Sequence, residues 1–153
     1  MILVRWREMM SYREGTERGE DIEELHAMRV SSRRLRAAMD AFEGAFPRKE
    51  FRRYLRQVKA ITETLGDARD LDVAVERLEA LRDQMGPEAQ PGIQGLIERY
   101  RAERRLEDSK ISALFTRLDD DAFASAFEDF LEAHTGIDAG AVELTPATAT
   151  RDA

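Results

Sequence analysis

His26, Arg29, Arg33 and Arg36 stand at i, i+3, i+7 and i+10, which at 100° per residue places all four within about 80° of arc on one helix face. Lys49, Arg52, Arg53, Arg56 and Lys59 repeat the arrangement farther along the chain. Guanidinium forks match phosphate oxygens bidentately, so a row of them at helical spacing suits a chain of phosphates met one after another. Like charges at this spacing repel by about 0.2–0.5 kcal/mol per pair, and few local acids offset them. Between His26 and Lys59 ten basic residues face three acids, Asp40, Glu43 and Glu50. That segment carries +7 in a chain of −7, leaving −14 for the remainder. The ligand this surface points to is an extended polyanion; the ordinary alternative is a solvated charged face.

Two helices must position these groups. Over about 21–45, Leu25, Met28, Leu35, Met39 and Phe42 form an apolar stripe well over 100° away from the basic one, so one side packs while the other faces out. Acids from Asp21 to Glu24 suit the positive end of that helix. Over about 48–65, Phe51, Leu55, Val58, Thr62 and Leu65 repeat at spacings of four and three. Antiparallel packing through a turn at Pro47 lets the two basic stripes merge. Gly66 is expected to interrupt the chain, with Asp67 and Asp70 resembling a cap that feeds a further helix containing Leu71, Val75, Leu78 and Met85.

After the glycines and prolines of 86–92, Ile93, Ile97 and Tyr100 open a helix that resumes its apolar pattern at Ile111, Leu114, Phe115 and Leu118. Its charged middle, 101–110, either faces solvent or kinks. Phe123, Phe127, Phe130 and Leu131 mark a last short amphipathic helix. No window alternates as a strand does. The expected fold is all-α, an antiparallel bundle of four to six helices over 1–137, followed by a disordered, flexible tail over 138–153 rich in small residues and Thr.

The chain has 153 residues, 42% apolar and 36% charged, with nine Gly and four Pro, as one helical domain requires. It contains no Cys, which excludes disulfides, thiolate catalysis and sulfur-ligated zinc. The opening apolar run, Met1 to Val4, is cut by Arg5 and Arg7, too short for a signal peptide or a span of about 20 residues, so a cytoplasmic location is expected. No nucleophile elbow or Gly-rich phosphate loop supports catalysis. Asp119, Asp120 and Asp121 read as a solvated helix entrance. Glu23 and His26 have the Glu-x-x-His spacing of di-iron bundles but lack the second copy that architecture needs. Trp6, Tyr12, Met9, Met10, Met28 and Met39 read as core.

Two segments carry a resemblance to a known family: His26-Ala-Met-Arg29-Val30-Ser-Ser-Arg33-Arg34-Leu35-Arg36-Ala37, and Leu65-Gly66-Asp67-Ala68-Arg69-Asp70-Leu71-Asp72-Val73. In residue type and separation they resemble the CHAD domain, over about 1–133. The resemblance implies a helical bundle that binds inorganic polyphosphate through surface basic residues, with no known reaction of its own and no cofactor; whether the expected cytoplasmic location extends to polyphosphate granules is left open by the sequence. It places His26, Arg29, Arg33, Arg34 and Arg36 in the binding set with Arg52, Arg53 and Arg56; Lys59 joins on helical phase. Arg69 either binds or holds a local turn through ion pairs, while Asp70 and Asp72 read as structural. Members often contain two such halves. Here the second His-x-x-Arg stretch is missing, His134 has no Arg three residues on, and pairing of two copies is expected. The rival ligands are a nucleic acid, weakened by the lack of exposed aromatics other than Tyr54, and an acidic protein partner; an enzyme acting on polyphosphate stands third.

Overall fold

The computed structural model describes residues 1–134 and 136. The segment read as a tail, 138–153, lies outside the described residues. Among those described there are six α-helices and no strand: α1 (Ile2–Ser11), α2 (Arg13–Arg18), α3 (Ile22–Phe42), α4 (Arg48–Gln84), α5 (Gln90–Asp120) and α6 (Phe123–Ala133), with one 3₁₀ turn at Glu43–Ala45. The all-α expectation holds.

Local chemistry accounts for the helix ends. Gly19 closes α2 in the left-handed conformation, φ 66°. Asp21 caps α3, its side chain accepting a hydrogen bond from the Glu23 amide at 2.9 Å, and Glu23 and Glu24 follow in the first turn. Pro47 precedes α4, and Pro91 sits in the first turn of α5.

α4 corrects the sequence reading. The chain does not break at Gly66: the elements expected over 48–65 and from Asp67 onward are one helix of 37 residues, about 55 Å long at 1.5 Å per residue. A lone glycine costs a helix interior only about 1 kcal/mol, and packing on both sides outweighs that. Ile61, Leu65 and Ala68 continue the buried stripe across it. Here the glycine leaves room for a neighbour: a Cβ at Gly66 would lie 3.4 Å from Nε of Arg29 on α3. Likewise α5 runs unbroken through its charged middle. Neither a kink nor full exposure resolves that stretch, because Arg104 and Glu107 turn inward while their neighbours stay in solvent.

The core lies where α1, α3, α6, the first half of α4 and the second half of α5 meet. Leu25, Met28, Leu35 and Met39 of α3 are buried there as expected, and Phe42 packs at the margin. Trp6 stands edge-on to Phe123 and Phe127 at 5.5 and 5.2 Å, and donates its Nε1–H to Glu128 Oε1 at 3.2 Å. Phe46 stacks on Phe51 at 4.7 Å. Arg13 ties α2 to the second half of α5, lying over the Phe115 ring at 4.7 Å and forming two hydrogen bonds to Asp119. Beyond the start of α3, the rest of α4 and the first half of α5 form a two-helix arm closed by the turn at 85–89, where Leu81, Met85 and Leu96 are exposed.

The 3.4 Å spacing to Arg29 is ordinary contact, so a methyl group fits. Gly66→Ala is expected to raise the unfolding free energy by about 0.5–1 kcal/mol through helix propensity and a less flexible unfolded chain. Urea denaturation followed by circular dichroism measures it; Gly66→Leu, which must lift Arg29 off the helix, is expected to lose that gain.

Candidate functional site

α3 and α4 run antiparallel across the short connection at 43–47, with Arg29 lying over Gly66. The α3 row reaches the outer edge of this interface. Arg29, Arg33 and Arg36 line one side of an open groove of about 620 Å³. The opposite wall is Thr62, Glu63, Gly66, Asp67 and Asp70 of α4, on a face of that helix where Arg52, Arg56, Lys59, Glu63, Asp67 and Asp70 fall within about 80° of arc. The face of α4 is therefore basic in its first half and acidic in its second. Because the helices are antiparallel, the arginines of α3 lie beside the acidic half: Glu63, Asp67 and Asp70 line the same groove.

The expected merger of two basic stripes is thus only partial. They meet at Arg36 and Lys59, which both approach Asp40, at 3.8 and 3.9 Å. Farther along, Arg52 donates to Glu43 at 2.5 Å. That hydrogen bond, aided by the charges of Arg48 and Lys59, holds the Glu43 carboxyl below its ordinary value. Arg34 points away from the groove toward α1, 3.8 Å from Glu8. Arg53 and Arg56 are exposed. Among the described residues they have no hydrogen bond or ion pair, and neither does Arg33. Arg29 is half-buried with its Nε sealed and unbonded, and one turn earlier His26 is half-buried with its Nδ1 in the same condition. The structure therefore brings Arg29, Arg33 and Arg36 to one groove, with Lys59 beside it through Asp40, Arg52 paired with Glu43 beyond it, and Arg34 on another face.

Arg69 lies below this surface. Its side chain is 14% exposed, and NH1 comes 3.9 Å from Glu76. No turn exists there for it to hold. It belongs to a polar seam between α4 and α5 that sequence reasoning missed. Asp72, 7% exposed, accepts from Arg104 Nε at 2.9 Å; the Arg104 side chain is 15% exposed and also reaches Asp108 at 2.6 Å. Burial raises the Asp72 pKa above its ordinary value, against the opposing pull of Arg104 and Arg69. One α5 turn on, buried Glu107 accepts from Lys110 at 2.7 Å, which raises the Lys110 pKa. Asp72 thus has the structural place expected of it. The acid wall was detectable in principle: extending the phase of α4 through Gly66 puts Glu63, Asp67 and Asp70 on the face of Lys59. Nothing in the spacing signals Arg104 or Glu107.

Compared with protein-family models, the chain matches the CHAD domain over residues 2–152. The chain belongs to the CHAD domain family. No curated protein and no solved structure matches it. Among the described residues no helix is long and apolar enough to cross a membrane, and no three potential metal ligands cluster closely enough to hold an ion.

Removing one partner of a buried ion pair leaves the other charge uncompensated. Asp72→Ala is accordingly expected to destabilise the fold by about 3 kcal/mol, read as a fall in the urea midpoint at unchanged slope. Asp83→Ala, at an exposed site of the same helix, is expected to move the midpoint little.

Proposed function

We propose that this protein binds inorganic polyphosphate, without catalysing a reaction on it, through the cationic groups of α3 and the first half of α4. The observation that carries this reading is the row of Arg29, Arg33 and Arg36 along an open groove, with Arg29 and Arg33 free of any acidic partner among the described residues. Arg53 and Arg56 extend the free cations onto α4. Membership of the CHAD family, with its general association with polyphosphate, supports the same ligand.

Binding here is electrostatic. Phosphates that pair with guanidinium groups release condensed counterions, so affinity falls with salt in proportion to the number of contacts. Longer chains reach more of the row. Among rival ligands, a single-stranded nucleic acid would draw on aromatic stacking. Tyr54, the aromatic interleaved with the α4 stripe, is committed elsewhere: its hydroxyl donates to the Ala126 carbonyl at 3.2 Å and its ring stacks on Phe127 at 4.9 Å. Pairing of two copies belongs to the same reading, with exposed Leu81, Met85 and Leu96 as apolar surface for a partner. Light scattering at high protein concentration tests it, a monomer mass counting against it.

The decisive experiment titrates the protein with polyphosphates of graded length at two salt concentrations. Affinity is expected to rise with chain length. With four phosphate contacts it is expected to drop about 50-fold between roughly 50 and 200 mM salt. Arg33→Glu with Arg36→Glu is expected to weaken binding by at least about 100-fold, since each lost charged hydrogen bond is worth about 1.5–3 kcal/mol. The fold should survive, because neither side chain lies in the core. Equal affinity for triphosphate and long chains, or tighter binding of RNA at equal phosphate concentration, would reject the proposal.

A further inference from the structure

The groove between α3 and α4 has two walls of opposite sign. Arg29, Arg33 and Arg36 on one helix stand at i, i+4 and i+7; Glu63, Asp67 and Asp70 on the other have the same spacing. The two ladders run antiparallel with equal steps. A bare phosphate chain seated on the arginines would lie against the carboxylates and be repelled by them. A purely basic partner would meet the converse penalty.

The walls do not cancel each other. Among the described residues no ion pair joins Arg29 or Arg33 to Glu63, Asp67 or Asp70. Asp40 alone of the groove acids is engaged, by Arg36 and Lys59; Asp67 is touched electrostatically by Lys110 at longer range. Arginine side chains are long and flexible enough to swing onto nearby carboxylates, and these leave open space instead. What fits between such walls carries both signs.

The acids alone do not make a metal site, since no three potential ligands cluster among the described residues. Magnesium, however, is commonly bound by one or two carboxylates together with phosphate oxygens and retained waters. We propose that the groove takes polyphosphate as its complex with a divalent cation: Arg29, Arg33 and Arg36 hold phosphate oxygens, while Asp67 and Asp70 receive the cation on the opposite side. This rests on the polyphosphate reading above and adds the state in which the ligand is recognised. Cation and polyphosphate are then mutually dependent ligands, each strengthening the other by the same factor. A simple basic stripe behaves in the opposite way, because magnesium neutralises the phosphates and competes with the arginines.

The test measures binding of a fluorescent polyphosphate of fixed length at constant ionic strength, once in EDTA and once in millimolar magnesium chloride. Magnesium is expected to raise the affinity of the native chain about 5- to 150-fold, the usual range of such couplings. Asp67→Asn with Asp70→Asn is expected to bind more tightly than the native chain in EDTA and to lose the magnesium gain, with its thermal melt checking the fold. Asp83→Asn with Glu88→Gln makes the same charge change, starting about 20 Å along α4 from Asp70, and is expected to keep the magnesium gain. Manganese alone, followed by electron paramagnetic resonance, is expected to bind weakly without polyphosphate. Binding in EDTA that magnesium weakens or leaves unchanged would overturn this inference and leave polyphosphate binding standing. So would tight manganese binding to the protein alone. Failure to bind polyphosphate under any of these conditions would instead remove the reading on which the inference rests.

Discussion

The close approach of α3 to α4 at Gly66 is the contact on which the rest of the surface depends. The Arg29 side chain passes over α4 at Gly66, and antiparallel helices have little freedom to slide once such a contact and the apolar stripes beneath it interlock. The register then follows along the whole interface. Arg36 and Lys59 converge on Asp40, Arg52 reaches Glu43 across the connection, and the remaining α3 arginines fall beside Glu63, Asp67 and Asp70. A slip of one turn, about 5.4 Å, would give a different electrostatic surface with the same composition. The charge of the groove is thus a consequence of packing geometry more than of how many basic residues the segment contains.

The polar seam between α4 and α5 has a different role. Asp72 and Arg104 are buried together, and each also has a charged neighbour, Arg69 on one side and Asp108 on the other. Such pairs contribute little net stability, because desolvation offsets attraction, yet breaking one is costly. They do discriminate between arrangements: sliding α5 by a turn would leave two buried charges unpaired, whereas purely apolar stripes would tolerate the slip better. This seam sits where α3 begins and the core ends, at the base of the two-helix arm. Aligned there, α4 holds its outer face, including Lys59, Glu63 and Asp67, in fixed relation to the arginines of α3.

Much of this was readable in the order of the residues. Helix type, the buried faces of α3 and the first half of α4, and the outward phase of Arg29, Arg33 and Arg36 all follow from local periodicity, since 3.6 residues per turn relates neighbours whatever lies beyond them. Gly66 misled because a glycine followed by Asp67 and Asp70 has the form of a helix stop and a cap, and only the packing on both sides shows that the helix continues. Arg69 was ambiguous for a related reason: with the chain broken there it would hold a turn, with the helix intact it lies inside.

By itself, then, the sequence determined which residues are helical, which side of each helix is apolar and where the cations concentrate, because these depend on dihedral preferences and contacts within one or two turns. Only the tertiary structure decided what each cation faces. Inter-helix register sums many weak contacts between residues distant in sequence. Through such registers Arg33 lies beside carboxylates instead of more arginines, Arg34 of α3 turns to Glu8 of α1, and Asp72 finds Arg104 thirty-two positions away.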